Sequence, residues 1–276
     1  MTYQKGIDKN ILRPFTASDM APVPEGWTVG PPGFIGVASG KAGTSWWYKL
    51  LLAHPSVKPN RLNRKELFYF YHFGCGGIDP QAVKTYREAF AAPPGCISGE
   101  WSPGYLNFPL AIDDIAQTAP EARILAIVRN PVDRFLSAQN QRLSKHAHLL
   151  GLEDQGERSY IYKTFSVFQV AVFNCLLYES FQRLLKLFDR SQVLVLQYEK
   201  CKANPAEEIA KTYRFLNIDD TFIPSDINRM VNKKPYLVPP LTSAARARLA
   251  DYFRNDVAAF WKLFPEIDLS LWEKDF

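Results

Sequence analysis

Phe34-Ile35-Gly36-Val37-Ala38-Ser39-Gly40-Lys41-Ala42-Gly43-Thr44-Ser45-Trp46 is the stretch on which the fold turns. Its first five residues form a short apolar run, the pattern of a strand buried on both faces. Ser39 to Gly43 is a glycine-containing turn. From Thr44 an amphipathic pattern runs to Ala53 and is closed by His54-Pro55, since the residue before a proline leaves the helical region. Strand, glycine turn and helix in that order aim free backbone N–H groups and the positive end of a helix at one point, which makes an anion site.

Similar units recur outward from this stretch. Asp79-Pro80 reads as a cap and first turn leading to Ala91, and Cys96 to Trp101 as a short strand. Arg123 to Arg129 is a continuous apolar run between arginines, the signature of a buried parallel strand, and Asn130-Pro131 opens the next helix. A long helical region is expected from Ser159 to Phe188, a strand from Val193 to Gln197, and a helix capped by Asn204-Pro205 reaching Leu216. The last helix, Thr242 to Phe264, carries Leu249, Tyr252, Phe253, Val257, Phe260, Trp261 and Phe264 as its core stripe. Strands alternating with helices imply an α/β fold with a central parallel sheet covered on both faces. The proline-rich residues 1–32 are expected to be an irregular arm, and 33–276 a single domain.

Of the 276 residues 47% are hydrophobic and 22% charged, which excludes a disordered or collagen-like chain. The net charge is only +5 and no basic stripe appears, so nucleic acid is not an expected partner. No apolar run reaches the ~18 residues of a membrane span. The longest, Phe165 to Tyr178, is broken by Ser166, Gln169 and Asn174. Met1 to Gly6 lacks the apolar core of a secretion signal, so a soluble, cytoplasmic protein is expected. Cys75, Cys96, Cys175 and Cys201 contain no C-x-x-C pair, which points to four buried thiols rather than zinc or disulfides.

Gly40-Lys41 invites comparison with the nucleotide-triphosphate loop, and fails it. That motif needs glycine where Ile35 stands, and Ser or Thr where Ala42 stands to hold magnesium. The K-x-G-T-x-W spacing of Lys41 to Trp46 instead resembles the phosphosulfate loop of sulfotransferases that use 3′-phosphoadenosine 5′-phosphosulfate (PAPS). Arg129-Asn130-Pro131-Val132-Asp133-Arg134-Phe135-Leu136-Ser137 resembles the same family's R-[ND]-P-x-[DE]-x-x-x-S motif. An arginine at a strand's C-terminal end and a serine about two helical turns on suit a terminal 3′-phosphate. Lys65-Glu66-Leu67-Phe68-Tyr69-Phe70 and Glu100-Trp101-Ser102-Pro103-Gly104-Tyr105 resemble segments of the glycan-type branch. Val193 to Glu199, with Asn204-Pro205 and Phe215-Leu216, resembles the family's late strand and helix. Two features depart from the pattern: Trp101 stands where glycan-type members carry a lysine, and Lys233-Lys234 offer charge but no glycine in place of an R-K-G cofactor segment.

The resemblance implies a P-loop-like three-layer α/β/α domain, PAPS as donor, no metal, and a small-molecule or carbohydrate hydroxyl as acceptor. Sulfuryl transfer is an in-line displacement governed by positioning and charge. Lys41 is expected at the departing oxygen. Ala42, Gly43, Thr44 and Ser45 would hold the 5′-phosphosulfate, and Trp46, helped by Tyr198, would stack on adenine. Arg129 and Ser137 would bind the 3′-phosphate, with Lys233 and Lys234 completing the site. Glu66 is the expected general base, its aromatic surroundings raising a carboxylate toward neutrality, and His72 is the competitor. His54 reads as structural, and His146 and His148 as the exposed end of a helix. The aromatics Phe68 to Phe73, with Trp101 and Tyr105, are expected to line a site for a ring-bearing or sugar acceptor. A kinase-like nucleotide binder and a non-catalytic adenosine bisphosphate binder are the alternatives.

Overall fold

In the computed structural model, residues 13–38, 40–146, 172–229 and 241–276 are described. Five strands, β1 (Phe34–Gly36), β2 (Val57–Lys58), β3 (Ile97–Trp101), β4 (Arg123–Val128) and β5 (Val193–Gln197), form one sheet in the order β2-β3-β1-β4-β5. All pairings are parallel. Helix α1 (Thr44–Ala53) follows β1, α2 (Pro80–Glu88) precedes β3, α3 (Pro109–Thr118) follows β3, and α4 (Pro131–His146) follows β4. Further along come α5 (Tyr178–Leu187), α6 (Tyr198–Ala203), α7 (Pro205–Phe215) and α8 (Ser243–Leu263).

Strand alternation divides the core into two layers. Ile35, Val37, Ile124, Ala126, Val128, Val193 and Val195 pack with side chains of α3, α4, α5 and α8. Phe34, Leu125, Ile127, Leu196 and Trp101 face the other way, onto Trp46, Trp47 and Leu51 of α1 and Ile209 and Tyr213 of α7. The result is three layers, α/β/α, around a parallel sheet. β1 sits at the centre, and the chain crosses from one side of it to the other between β3 and β4. Ligands collect at such a switch point, outside the C-terminal ends of the strands.

Most elements start and stop where local chemistry dictates. The Asp79 carboxylate accepts from the Ala82 N–H at 2.9 Å, and Thr242 Oγ1 from the Ala245 N–H at 3.2 Å. Asn130 Oδ1 accepts from the N–H groups of Val132 and Asp133 at 3.0 and 3.3 Å, starting α4.

Several expectations fail. Residues 172–188 are not one helix: the chain leaves helical geometry before α5, where the N–H groups of Leu177 and Tyr178 turn to the Asp256 carboxylate on α8, at 2.8 and 3.0 Å. A tertiary acceptor there replaces intrahelical ones. Residues 159–171 of that expected helix, and His148, lie outside the described residues. On α8, Leu249, Phe253, Val257, Phe260 and Phe264 are buried, but Tyr252 and Trp261 are exposed, because the apolar stripe is wider than the face that α4 and α5 cover. Only Cys175 and Cys201 are buried; Cys75 is exposed and Cys96 half-buried. His54 is structural as expected: Nε2 pairs with the Asp219 carbonyl at 2.9 Å and Nδ1 accepts the Ser56 N–H at 3.0 Å.

Trp101 corrects another expectation. It is fully buried, its indole N–H donates to the Ala38 carbonyl at 3.1 Å, and it lies flat across Gly36 on the neighbouring strand. A Cβ at Gly36 would overlap that indole, so the pair is a steric lock between β1 and β3 rather than part of an acceptor site. Among the described residues, no helix is long and apolar enough to cross a membrane.

Candidate active site

The turn between β1 and α1 is shaped by two left-handed residues, Lys41 at φ 73° and Gly43 at φ 86°. Gly43 is the residue before α1, and no side chain caps the helix there. A Cβ on Gly43 would come 3.0 Å from the Tyr198 ring, so glycine is required both by the backbone angle and by the close approach. No acidic residue lies in the first turn of α1. An uncapped helix N-terminus with that backbone turn is shaped for an anion, and Thr44 and Ser45 open the helix at that point. Ala42 and Thr44 are buried, while Gly43 and Ser45 are half-buried.

Because β4 lies beside β1, the end of β4 reaches this turn. Arg129 directly follows β4, and its Nη1 donates to the Lys41 carbonyl at 3.2 Å. Its guanidinium lies 4.8 Å from the centroid of the Tyr198 ring, at the end of β5. Tyr198 is thus held between Gly43 and Arg129, and partial burial raises the pKa of its hydroxyl. Ser137 is half-buried on α4. The Arg129 turn is fastened from behind. The Asn130 N–H donates to Glu199 at 3.1 Å, and the Asn130 amide to buried Asp275 at 2.8 Å. Arg246 bonds Asp275 at 2.6 Å and Asp133 at 2.7 Å. This clasp joins residues 145 positions apart and has no sequence signal.

Trp46 is 4% exposed. It stands edge-on to Trp47 and donates its indole N–H to the Ile227 carbonyl at 3.0 Å. The segment around Ile227 therefore covers it, and a base stacked on Trp46 would share that ring with the covering segment. Lys233 and Lys234 follow that segment and lie outside the described residues.

On the other side of β1, the segment after β2 is drawn along the end of β3. The Asn60 amide donates to the Arg64 and Gly99 carbonyls at 2.6 and 3.2 Å, and the Trp101 N–H to the Lys65 carbonyl at 2.7 Å. Ser102 Oγ accepts from the Leu67 and Phe68 N–H groups at 3.0 and 3.1 Å. These bonds present Lys65 and Glu66 to the anion turn. Lys65 Nζ lies 3.1 Å from Thr44 Oγ1 and 2.8 Å from Glu66 Oε1. Glu66 is thus ion-paired and partly solvated, and its carboxylate acts electrostatically on the Tyr71 hydroxyl. His72 closes a short 3-10 turn and is half-buried.

Glu100 is the residue whose weight the sequence did not show. It is wholly buried on β3 and accepts from Ser102 Oγ at 2.6 Å, the Tyr86 hydroxyl at 2.8 Å, the Leu67 N–H at 3.2 Å and the Tyr105 hydroxyl at 3.3 Å. Burial pushes its pKa up to about 7 against the pull of those donors. A carboxyl raised in the fold above its unfolded value of about 4.5 adds stability that is full below the unfolded value and is lost as pH rises through about 7. The melting temperature should therefore fall between pH 5 and 8, this group contributing about 3 kcal/mol over the full span. In Glu100→Gln that slope should flatten; an unchanged slope would assign the pH dependence to other groups.

A cleft of about 580 Å³ opens beside the turn, lined by Gly40, Lys41, Tyr71, Phe108, Arg134 and Gln141 among others. Asn107 and Asn174, also on its wall, are joined through the Asn107 amide at 3.2 Å. Of the expected aromatics, Tyr71 lines the cleft, whereas Tyr69, Phe70, Trp101 and Tyr105 belong to the core. Arg134, passed over in the motif that contains it, is 5% exposed and donates through Nε to the Gly40 carbonyl at 3.1 Å. Its position one turn into α4 was the available signal. Among the described residues, no cluster of His, Cys, Asp or Glu is arranged to hold a metal.

Residues 32–234 match the sulfotransferase domain family. The chain is 24% identical over 270 residues to mouse bifunctional heparan sulfate N-deacetylase/N-sulfotransferase 4, which covers 86% of this chain and 30% of that protein. It is 29% identical over 106 residues to the membrane-associated sulfotransferase kil1 of Dictyostelium discoideum, covering 38% of this chain and 22% of the relative. The chain therefore spans less than a third of the length of either. In fold it resembles the sulfotransferase of Alicyclobacillus acidocaldarius, with a TM-score of 0.66, 24% identity, and coverage of 89% of this chain and all of that one. It also resembles mouse SULT7A1 complexed with PAP, with a TM-score of 0.51, 13% identity, and coverage of 83% and 86%. The family match runs from just before β1 through the anion turn, the Lys65-Glu66 segment and Arg129, so this chain belongs to the sulfotransferase family.

Proposed function

We propose that the chain moves a sulfuryl group from PAPS to a hydroxyl of a carbohydrate or small-molecule acceptor. One observation carries this reading: Arg129, 88 positions from Lys41, donates to the carbonyl of that residue, so both anion motifs meet at one turn. A kinase-like triphosphate site would need a magnesium-holding hydroxyl where buried Ala42 stands.

The donor, when bound, supplies an activated sulfuryl group on a phosphate leaving group. The uncapped N-terminus of α1 and Thr44 would hold its 5′ end, and Arg129 with Ser137 its 3′-phosphate. Lys41 would neutralise charge growing on the departing oxygen, as a compact ammonium can. Glu66 would take the proton of the attacking hydroxyl. The acceptor fits the cleft beside the turn, where Tyr71 and Phe108 give an aromatic wall for a ring, and Asn107, Gln141 and Asn174 make part of the lining polar.

The test begins with thermal stabilisation by adenosine 3′,5′-bisphosphate without magnesium, and none by magnesium-ATP. Arg129→Ala should weaken the bisphosphate roughly ten- to a hundredfold, matching about 1.5–3 kcal/mol for a charge-assisted contact, and adenosine 5′-phosphate far less. Equal losses would remove Arg129 from the 3′-phosphate site. Transfer of radiolabelled sulfate to a panel of sugars and phenols then separates an enzyme from a mere binder.

A further inference from the structure

Lys65 bridges the anion turn and the general-base candidate. Its Nζ reaches Thr44 Oγ1 at 3.1 Å and Glu66 Oε1 at 2.8 Å, and the side chain is 17% exposed. The backbone behind it is pinned to β3 through the Trp101 N–H, so the ammonium is delivered to the turn by a fixed base. At the end of β3 itself, Trp101 is committed to the core over Gly36 and brings no charge to the cleft.

The Thr44 hydroxyl has one proton and two lone pairs. Because Lys65 donates to one lone pair, the proton is left to point elsewhere, and the adjacent ammonium polarises it. Thr44 stands at the start of α1, so that proton and the helix N-terminus serve the same anion. Burial pulls the pKa of Lys65 down, while the Glu66 carboxylate works in the opposite direction. A poorly hydrated ammonium of this kind needs an anionic partner, and Glu66 is the partner in place here.

We propose that Lys65 is a further donor-binding cation, beside Lys41 and Arg129, which Glu66 holds until a 5′-phosphorylated nucleotide occupies the turn. The ammonium then shifts from the carboxylate to the incoming phosphate, and Glu66 is released to act on the acceptor hydroxyl. Donor binding and freeing of the base become one event. This rests on the sulfotransferase reading above and extends it to a residue that reading leaves unused.

Calorimetric titration with adenosine 3′,5′-bisphosphate and with adenosine 3′-phosphate, which lacks the 5′ group, tests the proposal without any acceptor. In Lys65→Met the bisphosphate should bind about tenfold more weakly, as for loss of one charge-assisted contact, and the 3′-phosphate unchanged. In Glu66→Gln, where Lys65 has no competing carboxylate, the bisphosphate should bind several-fold more tightly. Opposite signs are the diagnostic result, since removing either half of a merely structural strut would weaken both ligands alike. Equal losses in the two variants, or a bisphosphate affinity indifferent to Lys65→Met, would overturn the proposal while leaving the donor site standing. If Lys65→Met fails to fold, Glu66→Gln still decides, because weaker binding in that variant contradicts a released ammonium. Wild-type protein that binds neither nucleotide would sink the donor reading and this one together.

Discussion

Lys41→Ala is expected to lower turnover at saturating donor and acceptor by about a hundredfold or more, while the affinity for adenosine 3′,5′-bisphosphate falls less than tenfold. The asymmetry follows from where the charge is. A group meeting negative charge that develops only in the transition state shows its loss in kcat, and one preorganised donor in such a position is worth about 10²–10³. The backbone supplies a control. Lys41 adopts φ 73°, a left-handed conformation that costs roughly 1–2 kcal/mol for any residue with a Cβ. Lys41→Gly relieves that cost and should raise the melting temperature, yet it must lose activity as Lys41→Ala does. Collapse of affinity with turnover preserved would make Lys41 a binding group. Recovery of activity in Lys41→Gly would show that the backbone mattered and the ammonium did not.

The second large effect concerns the proton. Glu66→Gln keeps the shape and removes the basicity, so transfer to an unactivated alcohol should drop to background without weakening donor binding. A nitrophenol, which brings its own anion, should be turned over by the variant at near the wild-type rate. Neither His72 nor Glu66 lines the cleft itself, but Glu66 is joined through Lys65 to Thr44 at the anion turn, so His72→Asn should change little. Loss of activity in His72→Asn with Glu66→Gln intact would hand the base to the histidine.

Both experiments depend on residues found from the sequence, and the reason they were findable is local. A strand followed by a glycine turn and a helix is written in about a dozen consecutive residues, as is a strand-end arginine with its following helix. The α/β alternation was visible for the same reason. What a side chain faces was legible only in part. His54 is structural and Tyr71 lines the cleft, as the sequence implies, but Trp101 and Tyr105 were expected in the cleft and are core, and Tyr252 and Trp261 were expected in the core and are exposed. Short elements such as β2, two residues long, and α6 carry too little pattern to stand out.

The sequence by itself determined the parallel α/β architecture, the anion turn and the pair of motifs that place this chain among the sulfotransferases, because each depends on neighbours in the chain. Only the tertiary structure decided which side chains share a site. The strand order puts β4 beside β1 and so brings Arg129 to Lys41 across 88 positions. Pairing of β3 with β1 lays Trp101 over Gly36, and the bonds from Asn60, Trp101 and Ser102 carry Lys65 to Thr44. Such contacts are set by strand order and register, which depend on the whole core being packed at once, and no short stretch of chain encodes them.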